Sequence, residues 1–550
     1  MTPNTLPLYV DLRAKQNADQ VWLRDRQGDE FTEWTWSEAA NEIDAAASCL
    51  RSRKGSQGAN IAILSRNRAH WVIADLAIIG SGNVTIPLFT TLNPSTAKYI
   101  LDFTDTTLLI LGEAENWEEV QKILPPSLEV VTLPGVSIDG PHTPWEELVT
   151  AYRGQRPERT AEPSDIISLV FTSGTTGVPK GVMQSHESFL KPMLRAGKHF
   201  GIRNNPRFLS YLPMSHIAER QLILVQSLTF AASIDFNESL ATLARDMAHT
   251  RPNFLFGPPR VWEQLQQGIL AKFGSQEALD SALDADAEGV GLKVRQSLGL
   301  DDVDYLLTAA APTPPALIRW YETLGLLLLE GFGQTEIMAT AINTREHRKI
   351  GSIGRITGDV ELKISDAGEL LFKAPGPARG YYKMPEQTAE TFVDGWVHTG
   401  DKGYIDDDGF VFLTGRVKDY FKTIYGKFVA PAAIESEFSA HELIEQVCLL
   451  GRGYSKTVIV CVLTEQGRQQ SKESVEESLL EKLAAVNKTI EKHARLGAII
   501  ISSYSWTIEN DMLTPTLKIR RDEVEARFGE QAQQLAHDAA VNHSVSVAWI

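Results

Sequence analysis

At 550 residues the chain is too long for one small core, so a large domain with one or more smaller ones is expected. With 43% hydrophobic and 22% charged residues it is neither disordered nor fibrous. Lys and Arg number 53 against 70 Asp and Glu, and this net charge of −17 speaks against general adhesion to nucleic acid or anionic lipid, so any anionic ligand must be held by a local cluster of donors.

The first sixteen residues mix charges with isolated apolar side chains and lack the continuous apolar core of a secretory signal, which makes the cytoplasm the expected location. The three cysteines, Cys49, Cys448 and Cys461, are odd in number and have no metal-ligand spacing, so neither a disulfide framework nor a zinc site is expected. Apolar runs punctuated by Pro and Gly alternate like the strands and helices of a large α/β protein, without internal repeats.

Residues 166–171 are an apolar run broken by Ser168 and predict a buried strand that stops at a Ser/Thr/Gly cluster. The longest apolar stretch, residues 222–234, contains Gln226, Ser227, Thr229 and Ser233; it is too short and too polar to span a bilayer and predicts a buried helix. Peripheral membrane contact stays open, although no basic amphipathic segment supports it. From 361 to 413 short β-like runs at 369–373 and 410–413, separated by Gly, Pro and Asp turns, predict a small β-barrel-like unit. Beyond Gly415, strands are predicted at 446–450, 457–463 and 498–502. Ser474 with Glu477 predicts a capping box, and Val475, Leu479, Leu483, Val486, Ile490 and Ala494 mark one helical face ending before Gly497. The expected fold is therefore α/β: a large N-terminal domain of mixed sheets over 1–417, and a small, mobile α+β C-terminal domain over 418–550.

The loop Thr172-Ser173-Gly174-Thr175-Thr176-Gly177-Val178-Pro179-Lys180-Gly181 packs hydroxyls, glycines and a lysine as a polyphosphate site requires. Glycines let backbone N–H groups approach phosphate oxygens, hydroxyls donate or ligate a metal, and the lysine supplies charge. Pro179 before the lysine and Gly181 after it depart from the Walker loop, so an ordinary P-loop is disfavoured. Composition leaves open a plain Ser/Gly-rich surface loop.

With its flanking residues, however, the loop resembles the signature of the AMP-binding, adenylate-forming enzymes. Four further segments agree in order and spacing: Tyr211-Leu212-Pro213-Met214-Ser215-His216-Ile217-Ala218-Glu219-Arg220; Gly331-Phe332-Gly333-Gln334-Thr335-Glu336; Trp396-Val397-His398-Thr399-Gly400-Asp401 leading to Gly415-Arg416; and Leu513-Thr514-Pro515-Thr516-Leu517-Lys518. The resemblance covers roughly residues 30 to 525 and implies a two-step ligase. The acid attacks the α-phosphorus of ATP to give an acyl-adenylate and pyrophosphate, and a thiol then displaces AMP.

By this resemblance Thr172 and Glu336 help hold Mg²⁺, while Ser173, Gly174, Thr175, Thr176, Gly177 and Lys180 cradle the β- and γ-phosphates. Phe332 packs on adenine beside Gly331, Thr335 donates to the α-phosphate, and Asp401 and Arg416 bind the ribose hydroxyls. Ala310 and Ala311 sit near adenine, where the family often has Gly-Gly-Ala-Pro. His216 lies near the acyl carboxylate and the thioester channel, and Lys518 reaches the carboxylate and the α-phosphate. Out of context, His216 reads as a structural histidine, Glu336 as a surface carboxylate and Lys518 as a solvated lysine. Lys418, two positions after Arg416, is implied as the hinge about which the small domain turns between the two half-reactions.

The segments ending at Arg220 and Lys518 look most like long-chain acyl-CoA synthetases, so the implied substrates are a fatty acid, ATP and CoA. The alternatives are a CoA ligase for a shorter, aromatic or sulfur-containing acid, an acyl-AMP ligase feeding a carrier protein, or a nucleotide-binding regulator that kept the fold. One segment departs from the family: Gly426-Lys427-Phe428-Val429-Ala430-Pro431 replaces a more usual small-residue loop.

Overall fold

A computed structural model describes residues 2–53, 58–172, 179–508, 510–514 and 518–550. The chain divides into two compact units: Met1–Ala311 with Leu317–Leu362 and Leu371–His398, and Thr399–Ile550 with Pro312–Ala316 and Lys363–Leu370. Among the described residues no helix is long and apolar enough to cross a membrane.

The larger unit is built on two sheets. One has the spatial order Thr143–Pro144, Glu129–Thr132, Leu108–Leu111, Asn60–Leu64, Val84–Leu88, Ile166–Thr172, Lys180–Ser185, parallel except for the last, antiparallel pair. Its central strands are mostly apolar and buried along nearly their whole length, as when helices cover both faces of a parallel sheet. The helix Ala69–Gly80, buried almost all round, provides one such cover.

The second sheet places Arg207–Ser210, Phe254–Gly257, Tyr305–Thr308 and Leu328–Gln334 side by side and parallel, then turns back through Ile337–Ile342. Loops leaving the carboxyl ends of those four strands therefore gather at one end of the sheet, the usual place for a ligand crevice in α/β proteins.

In the smaller unit the strands Ile444–Leu450, Thr457–Leu463, Leu496–Ile501 and Ser546–Trp549 form one sheet, its first pair antiparallel and the others parallel. Side chains alternate between its faces. Leu449, Ile459, Cys461 and Ile499 pack against Pro431–Ser439 and Lys472–Thr489, while Leu450, Val458, Val460 and Ile500 pack against Arg521–Asn542. The cysteines of the chain are free and buried.

Two sequence expectations need correction. Residues 222–234 are not one helix: a π-helical segment Arg220–Val225 runs into the α-helix Gln226–Phe230, Ala231 takes a left-handed φ of 57° that ends it, and the remainder enters the strand Ser233–Phe236. The helix expected from Ser474 begins a turn earlier, because Ser471 accepts the N–H of Ser474 as its cap. It stops at Thr489; Ile490 is its C-cap and Ala494 lies in a separate 3₁₀ turn, so the apolar face outruns the helix.

Candidate active site

In the larger unit the phosphate-type loop is the connection of a hairpin. Ile166–Thr172 and Lys180–Ser185 pair antiparallel with Thr172 opposite Lys180, so the first hydroxyl and the lysine stand side by side at the loop's mouth. Ser173, Gly174, Thr175, Thr176 and Gly177 lie outside the described residues. Gly181 is needed for close approach: a Cβ there would come within 3.0 Å of the Phe171 ring. The segment around Tyr381 adds itself to the outer edge of this hairpin, with the Met183 N–H donating to the Gly380 carbonyl and the Tyr382 N–H to the Gly181 carbonyl.

Thr335 and Glu336 are the two residues of the tight turn joining Leu328–Gln334 to Ile337–Ile342. Three bonds fix this turn. Gln184 Nε2 donates to the Thr335 carbonyl at 2.6 Å, the Ala378 N–H donates to the Glu336 carbonyl at 2.9 Å, and the Tyr381 hydroxyl donates to Glu336 Oε1 at 2.7 Å. Lys180 Nζ stands 5.0 Å from the centroid of the same Tyr381 ring. Lys180 and Glu336, far apart in sequence, are thus joined through one aromatic side chain. No motif in the sequence marks Tyr381 or Gln184. Gln184 lies four residues past Lys180 on a strand of known phase; nothing local marks Tyr381, whose partner Glu336 is 45 residues away.

Gly331 and Phe332 lie on the strand leading to this turn, with Phe332 against Phe372 at 5.6 Å between centroids. A Cβ on Gly331 would meet Leu307 at 3.0 Å, so glycine keeps this strand close to its neighbour. Ala310 and Ala311 follow the parallel strand Tyr305–Thr308 and are exposed at the same sheet end. Ala310 takes a left-handed φ of 73°, a conformation that suits glycine.

His216 follows the strand Arg207–Ser210 and is half-buried. Its Nδ1 accepts the Ala218 N–H at 3.1 Å, which leaves the proton of the neutral ring on Nε2. The loop before it is held by Asn67, which donates to Ser210 Oγ and the Leu212 carbonyl and accepts the Met214 N–H. Glu219 is buried beneath it, accepting from Ser210 Oγ at 2.8 Å and from the Tyr211 N–H at 3.1 Å. Burial pushes its carboxyl up to about 8, against the lowering effect of those hydrogen bonds. The next residue, Arg220, is wholly buried. It donates to both Asp75 oxygens at 2.6 and 2.8 Å and to Ser168 Oγ at 2.6 Å, tying the start of the π-helical segment to the strand that delivers Thr172.

In the smaller unit Asp401 and Arg416 are direct partners across an antiparallel ladder, and Arg416 Nη1 donates to Asp401 Oδ1 at 2.8 Å and to the Thr399 carbonyl at 3.3 Å. Lys418 is exposed in the turn that follows. Lys518 is exposed as well. Its loop is closed by backbone: the Thr514 N–H donates to the Lys518 carbonyl at 2.8 Å and the Lys518 N–H to Thr514 Oγ1 at 3.1 Å. Just beyond, Arg521 is anchored on Glu435 and on the Leu449 carbonyl, both at 2.6 Å. The departing segment at 426–431 forms part of a small hairpin, Phe421–Lys422 with Phe428–Val429, that exposes Ile424, Tyr425 and Phe428.

The chain is similar to known proteins over most of its length. Residues 10–382 match the AMP-binding enzyme family and residues 418–539 the AMP-binding enzyme C-terminal domain. The long-chain-fatty-acid–CoA ligase FadD15 of Mycobacterium bovis is 28% identical over 562 residues, covering 92% of this chain and 92% of that protein. Long-chain-fatty-acid–CoA ligase 5 of Rattus norvegicus is 28% identical over 575 residues, covering 91% of this chain and 84% of that protein. Among solved structures, the adenylation domain of the carboxylate reductase of Mycobacterium chelonae superposes with a TM-score of 0.81 at 21% identity, covering 97% of this chain and 91% of that one. With two family domains matched in order over most of its length, the chain belongs to the AMP-binding enzyme family.

Proposed function

We propose that the protein is an ATP-dependent fatty acid:CoA ligase that forms an acyl-adenylate and then a thioester. The observation that carries this reading is the junction of Lys180, Tyr381 and the Thr335–Glu336 turn at the mouth of the Thr172 hairpin. The relatives, named as long-chain fatty-acid–CoA ligases, support the acid and the acceptor.

A carboxylate attacking the α-phosphorus meets a triphosphate of its own sign, so the site must supply positive charge and N–H or O–H donors. Lys180 serves the β- and γ-phosphates and Thr335 donates to the α-phosphate. Gly331 and Phe332 seat adenine beside Ala310 and Ala311, and Asp401 with Arg416 takes the ribose hydroxyls. Lys518 holds the attacking carboxylate against the α-phosphate and balances the developing charge. His216 lines the path of the acyl carboxylate.

The donor set fits a hard divalent cation. Glu336 and Thr172 offer oxygen, and among the described residues no group of three or more His, Cys, Asp or Glu converges into a cage independent of phosphate. Glu336 and Thr172 would hold Mg²⁺, which when bound neutralises part of the triphosphate charge.

The domain boundary in this reading lies at 417/418, with Lys418 as pivot. Its exposure in a turn and the match of the C-terminal family domain from residue 418 support it. The small domain first presents Lys518 and then turns another face to admit the thiol. The test is product analysis: ATP, a long-chain fatty acid and CoA should yield AMP, pyrophosphate and acyl-CoA, with pyrophosphate released from ATP and acid before CoA is added. Release of ADP would overturn the mechanism. A panel of acids, with and without CoA, separates the fatty-acid reading from shorter or aromatic acids and from a carrier-protein acceptor.

A further inference from the structure

We infer that Tyr381 is a positioning residue that sets both charged groups at the mouth of the phosphate loop, Glu336 through its hydroxyl and Lys180 through its ring. The inference rests on the reading of Glu336 and Lys180 as the magnesium and triphosphate groups.

Tyr381 is held rigidly enough for this task. Its N–H donates to Thr388 Oγ1 at 2.9 Å, its backbone bridges to Val182, and the residue is 6% exposed, packed among Val182, Ala378, Met384 and Phe392. The residue before it must be glycine: Gly380 has φ 121°, and a Cβ there would lie 2.5 Å from the Thr388 methyl. From this fixed ring the hydroxyl reaches Glu336 Oε1 at 2.7 Å, and such a charge-assisted bond constrains a side chain that otherwise has three free torsions. The face of the ring attracts the Lys180 ammonium at 5.0 Å, restraining a long side chain without neutralising it. A carboxylate partner would have quenched the lysine's charge, and an apolar one would have left it unguided. Tyrosine is the side chain that offers a donor to the anion and a π face to the cation from one packed body.

These two contacts separate experimentally. Tyr381→Phe removes the hydroxyl and keeps the ring, so it should raise the Mg²⁺ concentration that half-saturates ATP binding about tenfold while ATP affinity at saturating Mg²⁺ stays within about twofold of wild type. Tyr381→Leu removes the ring as well and should weaken ATP binding even at saturating Mg²⁺. Binding is read by calorimetric titration of ATP over a series of Mg²⁺ concentrations, without acid or CoA, so turnover is not the readout. Glu336→Gln supplies the control: it should shift the Mg²⁺ dependence, and Tyr381→Phe added to it should shift it no further. An unshifted Mg²⁺ dependence in Tyr381→Phe, beside a shifted one in Glu336→Gln, would overturn the role of Tyr381. No shift in Glu336→Gln would overturn the underlying reading of the metal site. If Tyr381→Leu fails to fold, the isosteric phenylalanine variant decides the question, with its unfolding midpoint measured alongside.

Discussion

Glu336 in the larger unit and Lys518 in the smaller stand in different surroundings. In the larger unit side chains of other elements tie Glu336 through Tyr381, the Thr335 carbonyl through Gln184, and the segment after His216 through Arg220, Asp75 and Ser168. In the smaller one Lys518 is exposed on a loop closed through Thr514 and its own backbone, with the nearby anchor placed at Arg521. A group that receives a polyphosphate gains from being fixed beforehand, since no reorganisation then opposes binding. A group that must be delivered and withdrawn gains from open surroundings.

If that contrast is sound, changes in the smaller unit should alter rates without altering stability. Lys518→Ala is expected to slow single-turnover adenylation by about 10² to 10³ while the unfolding midpoint stays at the wild-type value, since the side chain is exposed. Near wild-type adenylation with a failed thioester step would assign the lysine to the second half-reaction instead. Lys418→Pro, which fixes φ near about −65° and removes an N–H, should keep adenylate formation and lose CoA-dependent thioester formation by about tenfold or more. Lys418→Ala should match wild type in both. Equal loss of both steps in the proline variant would mean misfolding or a misplaced pivot.

A change at Glu219, buried in the larger unit, should do the reverse. The folded Glu219 carboxyl, at about 8, lies above its ordinary 4.5, so the unfolded chain gives up this proton more readily. Its contribution is therefore whole below about pH 4.5 and is lost as pH rises through about 8, at up to about 1.4 kcal/mol per pH unit. Glu219→Gln should flatten that slope, read as denaturant midpoints at pH 5, 6.5 and 8; parallel slopes in both proteins would show that the group is already ionised in the fold. The smallest effect is expected at Ala310, where Ala310→Gly relieves the left-handed φ of 73° and should add about 0.5–1 kcal/mol of stability by chemical unfolding.

The legibility of these regions in the sequence followed the reach of the interactions that made them. The strand ending at Thr172 and the strands at 369–373 and 457–463 come from local apolar runs, and they fold as read. The site residues of the loop and of the Thr335–Glu336 turn were legible through a family pattern, since charge and glycine content alone also describe an ordinary surface loop. Residues 222–234 misled because apolar content does not distinguish π-helix, α-helix and strand, and the break at Ala231 has no Gly or Pro to announce it. Tyr381 stayed hidden because its meaning lies in two partners, 45 and 201 positions distant, that only the folded chain brings to its ring.

The outer edge of the strand Lys180–Ser185 is paired by residues 379–382, which leave the ribosome nearly two hundred positions later. At about 5–20 residues per second that is an interval of roughly 10–40 s. Throughout it the hairpin carrying Thr172 and Lys180 presents unpaired N–H and C=O groups that could template pairing with another nascent chain. Truncation before residue 379 would make that interval permanent, so shortened forms of this chain should be lost to aggregation rather than survive as nucleotide-binding fragments.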